Sequence, residues 1–278
     1  MTQPTRSKQR EALKKMAGGF VEVSNVSLTY GGAGGTLAVD GLDMTVEEGQ
    51  FAAVVGPSGC GKSTLMKLAT GLVRPTKGTV QVAGKPVTGP VSMAGMAFQN
   101  PSMLPWRTTI KNVMLPLEIA QPHRSKLSRE RAAYTQQAED LLSVVGLKGF
   151  GNKFPWQLSG GMQQRSNLCR ALIHDPKLLM LDEPFGALDA FTREELWQVM
   201  RDLHQKKKMT VILVTHDLRE AVFLADRIFV MSARPGKIVV QRDIEFPRPR
   251  PIELTYKQEF NAIVQELRSH IAEARAAA

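Results

Sequence analysis

Nine consecutive residues, Gly56-Pro57-Ser58-Gly59-Cys60-Gly61-Lys62-Ser63-Thr64, carry the types and spacing best suited to chemistry. They match the pattern G-x-x-x-x-G-K-[ST] in full. Glycines let backbone N–H groups wrap an anion, and a following helix N-terminus adds positive potential. Lys62 is the cation for the β- and γ-phosphates of a nucleotide. The Ser63 hydroxyl is a hard oxygen ligand for Mg²⁺, with Thr64 beside it. Cys60 fills a free position of the pattern and is given no redox role. The pattern lies between the apolar run Phe51–Val55 and an amphipathic stretch from about Lys62. That strand–loop–helix setting separates a phosphate site from a chance glycine turn.

Such a site needs a carboxylate from a neighbouring strand. The four apolar residues 178–181 are followed by Asp182 and Glu183. Asp182 then emerges at the carboxyl end of a buried strand, the edge where open α/β sheets bind ligands. It is placed to hold Mg²⁺ through water. Glu183, one residue on, is the candidate for polarising an attacking water, a role worth about 10²–10⁴-fold in rate. The bland alternative for Glu183 is a surface carboxylate in a salt bridge; beside Asp182 and the phosphate loop it loses weight.

The elements that must position these groups follow from patterning. Val21 and Val23 alternate in one phase, and Val26, Leu28 and Tyr30 in the other, predicting a strand whose register shifts near Ser24 and Asn25. GGAGG at 31–35 reads as a turn, and Leu42, Met44 and Val46 as a half-buried strand, so the early part is antiparallel in flavour. A helix from Lys62 carries Leu65, Leu68, Ala69 and Leu72 on one face. Short strands follow near residues 79–82 and 96–98. Helical signals dominate residues 100–175: Ser128 is a candidate cap for a helix bearing Ala138, Leu141, Leu142 and Val145, and a second helix spans 161–173. Buried strands return at 178–181 and 211–214 with a helix at 192–205 between them, the alternation of a parallel α/β sheet. Strands at Arg227–Met231 and 237–240, a proline-rich linker at 246–251, and a helix with Tyr256, Phe260, Ile263, Val264, Leu267 and Ile271 on one stripe complete the chain.

The chain has 278 residues, 43% hydrophobic and 22% charged, which is ordinary for a globular fold. Lys and Arg number 36 against 26 Asp and Glu, a surplus of +10 that suits anionic partners without choosing among nucleotides, nucleic acid and membrane. No apolar run approaches the ~20 residues of a membrane-spanning helix. The basic start, residues 1–19, lacks the apolar core of a secretory signal and reads as a tail. Two distant cysteines, Cys60 and Cys169, suit a reducing compartment rather than a disulfide framework.

A phosphate loop alone names no function; residues 158–165, LSGGMQQR, narrow it. Leu158, Ser159, Gly160, Gly161 and Met162 resemble the signature of ABC ATPases, with Met162 where that signature often has Gln. Physically the segment is a second anion-binding device, a serine and two glycine amides opening a helix. Other residues fall in the order that family shows. Tyr30 resembles its adenine-stacking aromatic, Gln99 its glutamine sensing Mg²⁺ and γ-phosphate, Ala187-Leu188-Asp189 its interface loop, and His216 its γ-phosphate histidine. The resemblance covers about residues 20–246. It implies an α/β P-loop NTPase fold of the ABC ATPase kind: an antiparallel β part, a RecA-like parallel core and a helical subdomain inserted at about 100–175; the Pro/Arg-rich linker and C-terminal helix at 247–278, read from patterning, lie beyond it. It further implies ATP and Mg²⁺ as ligands and catalysis by Glu183 and His216. It also implies a head-to-tail pair in which each ATP lies between one chain's phosphate loop and the other's signature.

The stretch from Gln99 to Arg107, QNPSMLPWR, puts Met103, Leu104, Pro105 and Trp106 next to the nucleotide sensor. In ABC transporters this region lines the groove that receives a permease helix; packing within the helical insert is the alternative. Together with MSARPGK at 231–237 and FPRPR at 246–250, it resembles importer ATPases of the nitrate, sulfonate and taurine group. The expected partners are then a second copy, a membrane permease and, indirectly, a solute-binding protein, at the cytoplasmic face of the membrane. The rival is a soluble ABC ATPase of repair or assembly. The chain lacks a long coiled-coil insertion, and its basic residues are scattered rather than interleaved with aromatics, so nucleic acid is not expected.

Overall fold

The computed structural model describes residues 18–31 and 34–276. The basic tail expected at 1–19 lies outside the described residues except for Gly18 and Gly19, and the turn expected at 31–35 lies outside them at 32 and 33. In chain order the elements open with β1 (Val21–Tyr30), β2 (Thr36–Val46), β3 (Phe51–Val55), α1 (Lys62–Ala69), β4 (Lys77–Val82), β5 (Lys85–Pro86) and β6 (Ala94–Ala97). Between β6 and the next strand come only helices: α2 (Thr109–Val113), α3 (Leu115–Ile119), α4 (His123–Lys126), α5 (Arg131–Val144) and α6 (Gly160–Leu172), with a 3₁₀ turn at Pro155–Gln157. Then follow β7 (Leu178–Asp182), α7 (Ala190–Lys207), β8 (Thr210–Val214), α8 (Leu218–Leu224), β9 (Arg227–Met231), β10 (Ile238–Asp243) and α9 (Gln258–Ala276).

Two sheets result. The first is antiparallel, in the order β2-β1-β4-β5, and β1 slips register between Val23 and Val26, with Asn25 at φ 48°. The second runs β10-β9-β3-β8-β7-β6, parallel throughout except for β10 at its edge. Phe51–Val55, β7 and β8 are buried along their whole length, as strands covered on both faces must be. Because β6, β7, β8 and β3 are adjacent and parallel, their carboxyl ends share one edge. Whatever follows each strand is therefore delivered to the same place.

Four local expectations are corrected. Helix α1 stops at Ala69, where the Thr70 hydroxyl donates to the Met66 carbonyl and Gly71 turns to φ 72°, so Leu72 leaves the helical face and is half exposed. Ser128 does not cap α5; that helix begins after Glu130 with no side-chain cap. Tyr256 lies in a 3₁₀ turn before α9 and is exposed, while Phe260 and Leu267 are fully buried. The proline-rich stretch is fastened to the core. Arg250 is 1% exposed and donates to the carbonyls of Val222, Phe223, Ala225 and Ile244 at 2.7–3.1 Å. Burial pulls its pKa down to about 10, and the guanidinium keeps its charge at neutral pH. Arg248 pairs with Asp226 at 2.7 Å, and the Phe246 ring stacks on Phe260 at 6.2 Å. The segment thus seats α9 against the sheet.

Candidate functional site

The phosphate loop joins β3 to α1. Gly61, just before the helix, has φ 103°, and a Cβ there would lie 2.7 Å from Val39 Cγ1, so only glycine serves. Lys62 is buried, and its Nζ donates to the Gly56 and Pro57 carbonyls at 2.9 Å each. That holds the ammonium inside the curve of its own loop. Ser58 and Gly59 are exposed at the loop's crest, while Cys60 is buried and its thiol pushed up by burial, away from thiolate reactivity. Thr64 is buried beneath, 3.4 Å from the Tyr30 hydroxyl. The loop forms one wall of a cavity of about 350 Å³, also lined by Tyr30, Gln99, Asp182, Glu183 and Arg234.

The opposite wall is the edge made by β6, β7 and β8. Ser63 Oγ donates to Asp182 Oδ2 at 3.1 Å, joining residues 119 apart in sequence. Burial pushes the Asp182 carboxyl up, opposed by the Ser63 hydroxyl. A half-desolvated carboxylate beside a hydroxyl and next to a phosphate cradle fits a hard, small divalent cation, which takes one or two protein oxygens and completes its shell with phosphate and water. Among the described residues no cluster of three or more His, Cys, Asp or Glu could hold a metal unaided.

Glu183 links two further strands. Its Oε2 accepts from Gln99 Nε2 at 2.9 Å, and its Oε1 lies 3.2 Å from His216 Nδ1. An ionised carboxylate only accepts, so Nδ1 carries the proton in this pair. Glu183 itself sits at φ 46°, with its N–H donating to the Val214 carbonyl of β8 at 2.8 Å. A left-handed residue held by a neighbouring strand aims the side chain across the edge rather than along it. In the sequence Gln99, Glu183 and His216 follow three separate strands. The parallel register brings them into one contact chain.

The signature does not join this cavity. Ser159 is the cap of α6, its Oγ accepting from Met162 N at 3.3 Å; Ser159 and Gly160 are exposed, Gly161 and Met162 partly so, and Leu158 is buried. The loop Ala187-Leu188-Asp189 opens α7, with Asp189 Oδ1 accepting from Thr192 N at 3.0 Å. These exposed amides could meet an anion held by another chain but not one held by their own.

Three neighbours were not legible as site residues. Arg234, after β9, adds a cation to the cavity wall. Arg193 donates to the Leu188 carbonyl at 2.9 Å and lies 3.4 Å from Asp217, tying the loop at 187–189 to the segment bearing His216. Glu220, in α8, is 3% exposed, and its Oε1 has no partner among the described residues. It borders a small cavity shared with Glu183 and His216. Burial, reinforced by the Asp217 charge, pushes its carboxyl well above the usual range and favours its neutral form. A raised folded-state pKa means that the folded chain binds this proton when the unfolded chain has lost it. Stability from Glu220 is therefore full in acid and lost as pH rises from the ordinary carboxylate range to the folded-state value. A Glu220→Gln variant lacks that loss. Its denaturant midpoint should gain on wild type between pH 5 and pH 8; an equal difference at both would place an ionised carboxylate there.

A phosphate loop on a parallel sheet, a hydroxyl–carboxylate pair beside it, and a carboxylate bracketed by glutamine and histidine define a P-loop nucleoside triphosphatase. Comparison with known proteins narrows the class. The family described as ABC transporter matches residues 39–186. An aliphatic sulfonates import ATP-binding protein of Bacillus licheniformis is 43% identical over 227 residues, covering 80% of this chain and 85% of that one. A taurine import ATP-binding protein of Escherichia coli (strain K12) is 41% identical over 223 residues, covering 80% and 85%. A dimeric ATP-binding cassette, solved in a post-hydrolysis state with ADP and Pi, superposes with a TM-score of 0.70 at 30% identity, covering 82% of this chain and all of that one. The chain belongs to the ABC transporter family, as one of its ATP-binding, ATP-hydrolysing subunits.

Proposed function

We propose that the chain is the ATPase subunit of an importer, energising uptake of a small anion such as a sulfonate, taurine or nitrate through a partner permease. The hydrolytic part rests on one observation: Glu183 is held between Gln99 and His216, one residue from the Asp182–Ser63 pair. Lys62 and the loop amides bind the phosphates of ATP, and Tyr30 stacks on the base. Ser63 and Asp182, with Gln99, hold Mg²⁺, which supplies neutralisation of phosphate charge. Glu183 orients a water and takes its proton; His216 fixes the carboxylate and reads the γ-phosphate. Two copies pair head to tail, each completing the other's site with Ser159, Gly160 and Gly161. The pair closes on ATP and opens after hydrolysis, a two-state shift that can move a membrane partner. The importer part and its class of cargo are supported by the import ATP-binding proteins, which share more than 40% identity.

The helical part carries the proposed permease face. Trp106 is 71% exposed, which speaks against packing within the helical insert and supports a docking role. Its loop is stiff: Asn112 bonds Leu104 twice and the Arg107 and Thr108 carbonyls, and Arg107 forks onto Glu118 at 2.8 Å. Nearby, Phe98, Leu115 and Ile119 line an apolar groove of about 570 Å³ that Trp106 itself does not enter. Among the described residues no helix is long and apolar enough to cross a membrane. The groove and the indole are the surfaces offered to the permease in this reading. Trp106→Ala should leave basal ATP hydrolysis within about twofold while cutting ATP-driven uptake about tenfold in vesicles holding the permease. Equal loss of both would return Trp106 to a folding role.

A further inference from the structure

A second cavity, of about 700 Å³, is a cleft between the phosphate loop and α9, apart from the phosphate cavity. Ser58 and His216 form one side; Val264, Arg268, Ile271 and Arg275 of α9 form the other, with Arg219 also lining it. Val264, Arg268, Ile271 and Arg275 recur at helical spacing, so they make one apolar and basic stripe. Among the described residues none of the three arginines has an acidic partner, and Asp217, the carboxylate that lines the cleft, already caps α8 and lies 3.4 Å from Arg193.

A complementary surface lies at the start of α7. Phe191 is 83% exposed in the first turn of α7, and Glu195, four residues on, is exposed on the same face. That turn is coupled to the signature: a Cβ on Gly161 would lie 2.9 Å from Leu188 Cδ2, so the start of α6 and the loop opening α7 are in contact. If Ser159–Gly161 of one copy faces the phosphate loop of the other, Phe191 is carried to the rim of that loop, where the cleft opens beside Ser58 and His216. Apolar and acidic then meets apolar and basic.

We propose, on the head-to-tail reading above, that this cleft receives the second copy's Phe191 against Val264 and Ile271, with its Glu195 on Arg268. The contact occurs twice in a two-fold pair. It makes α9, which lies beyond the residues matched by the family, a part of the ATP-dependent interface and places it against the loop bearing His216.

The test uses the full chain carrying Glu183→Gln, with Mg²⁺-ATP. Phe191→Cys with Ile271→Cys should form an interchain disulfide under mild oxidation with ATP and not without it; the native Cys60 and Cys169 are buried. Arg268→Glu should weaken the ATP-bound dimer at least about tenfold by sedimentation, and adding Glu195→Arg should restore it. A dimer of unchanged affinity in Arg268→Glu, with no 191–271 disulfide, would overturn the docking while leaving the head-to-tail pair standing and the cleft free for a small anion. No ATP-dependent dimer in the Glu183→Gln parent would overturn the head-to-tail reading, and the docking with it.

Discussion

Replacing Glu183 by Gln should lower ATP turnover by about 10²–10⁴-fold while ATP binding persists. The amide keeps the size and the bonding reach of the side chain. Gln99 Nε2 and His216 Nδ1 can both still be accommodated with modest rearrangement, so the cavity keeps its shape. What is lost is the capacity to take a proton from water. Because hydrolysis is what separates the paired copies in the proposed cycle, the variant should accumulate as an ATP-bound dimer. Turnover within a few-fold of wild type would remove Glu183 from the role of base and leave it as a carboxylate that positions His216.

Lys62→Ala should act one step earlier, on binding. The ammonium is buried and held by two loop carbonyls, so it contributes a fixed cation rather than a wandering one. Contacts to two phosphates are charge-assisted hydrogen bonds worth about 1.5–3 kcal/mol each. Their joint loss should reduce ATP affinity by about 10²-fold or more. Titration with a fluorescent ATP analogue measures it directly. Affinity unchanged by the substitution would take the nucleotide out of this cavity.

The parts of this molecule written contiguously in the sequence were legible, and the parts assembled by the fold were not. Phe51–Val55 is five apolar residues ending at a glycine, and the strand has those bounds. The phosphate loop and the cap at Ser159 are likewise local, because every group that defines them lies within nine residues. Contact between Glu183, Gln99 and His216 depends on the order β8-β7-β6, which no local pattern encodes. Glu220 resembles a surface carboxylate on a short helix, and only the packing around it makes it a buried acid. Arg250 sits in a proline-rich run that reads as exposed; three of its carbonyl partners, Val222, Phe223 and Ala225, come from a segment more than twenty residues away. Helix ends failed for a related reason. Leu72 continues the apolar period of α1, yet the Thr70 hydroxyl and Gly71 end the helix first.

The central claim, that this ATPase drives a membrane permease, is tested most directly by affinity capture from membranes. The tagged Glu183→Gln chain would be purified with Mg²⁺-ATP from detergent-solubilised membranes of its own cell, and the co-purifying proteins identified. A polytopic membrane protein, retained with ATP and lost when Trp106 is also replaced by Ala, is the expected result. Soluble proteins or nucleic acid in place of any membrane protein would contradict it, and would assign the same ATP chemistry to a soluble repair or assembly role.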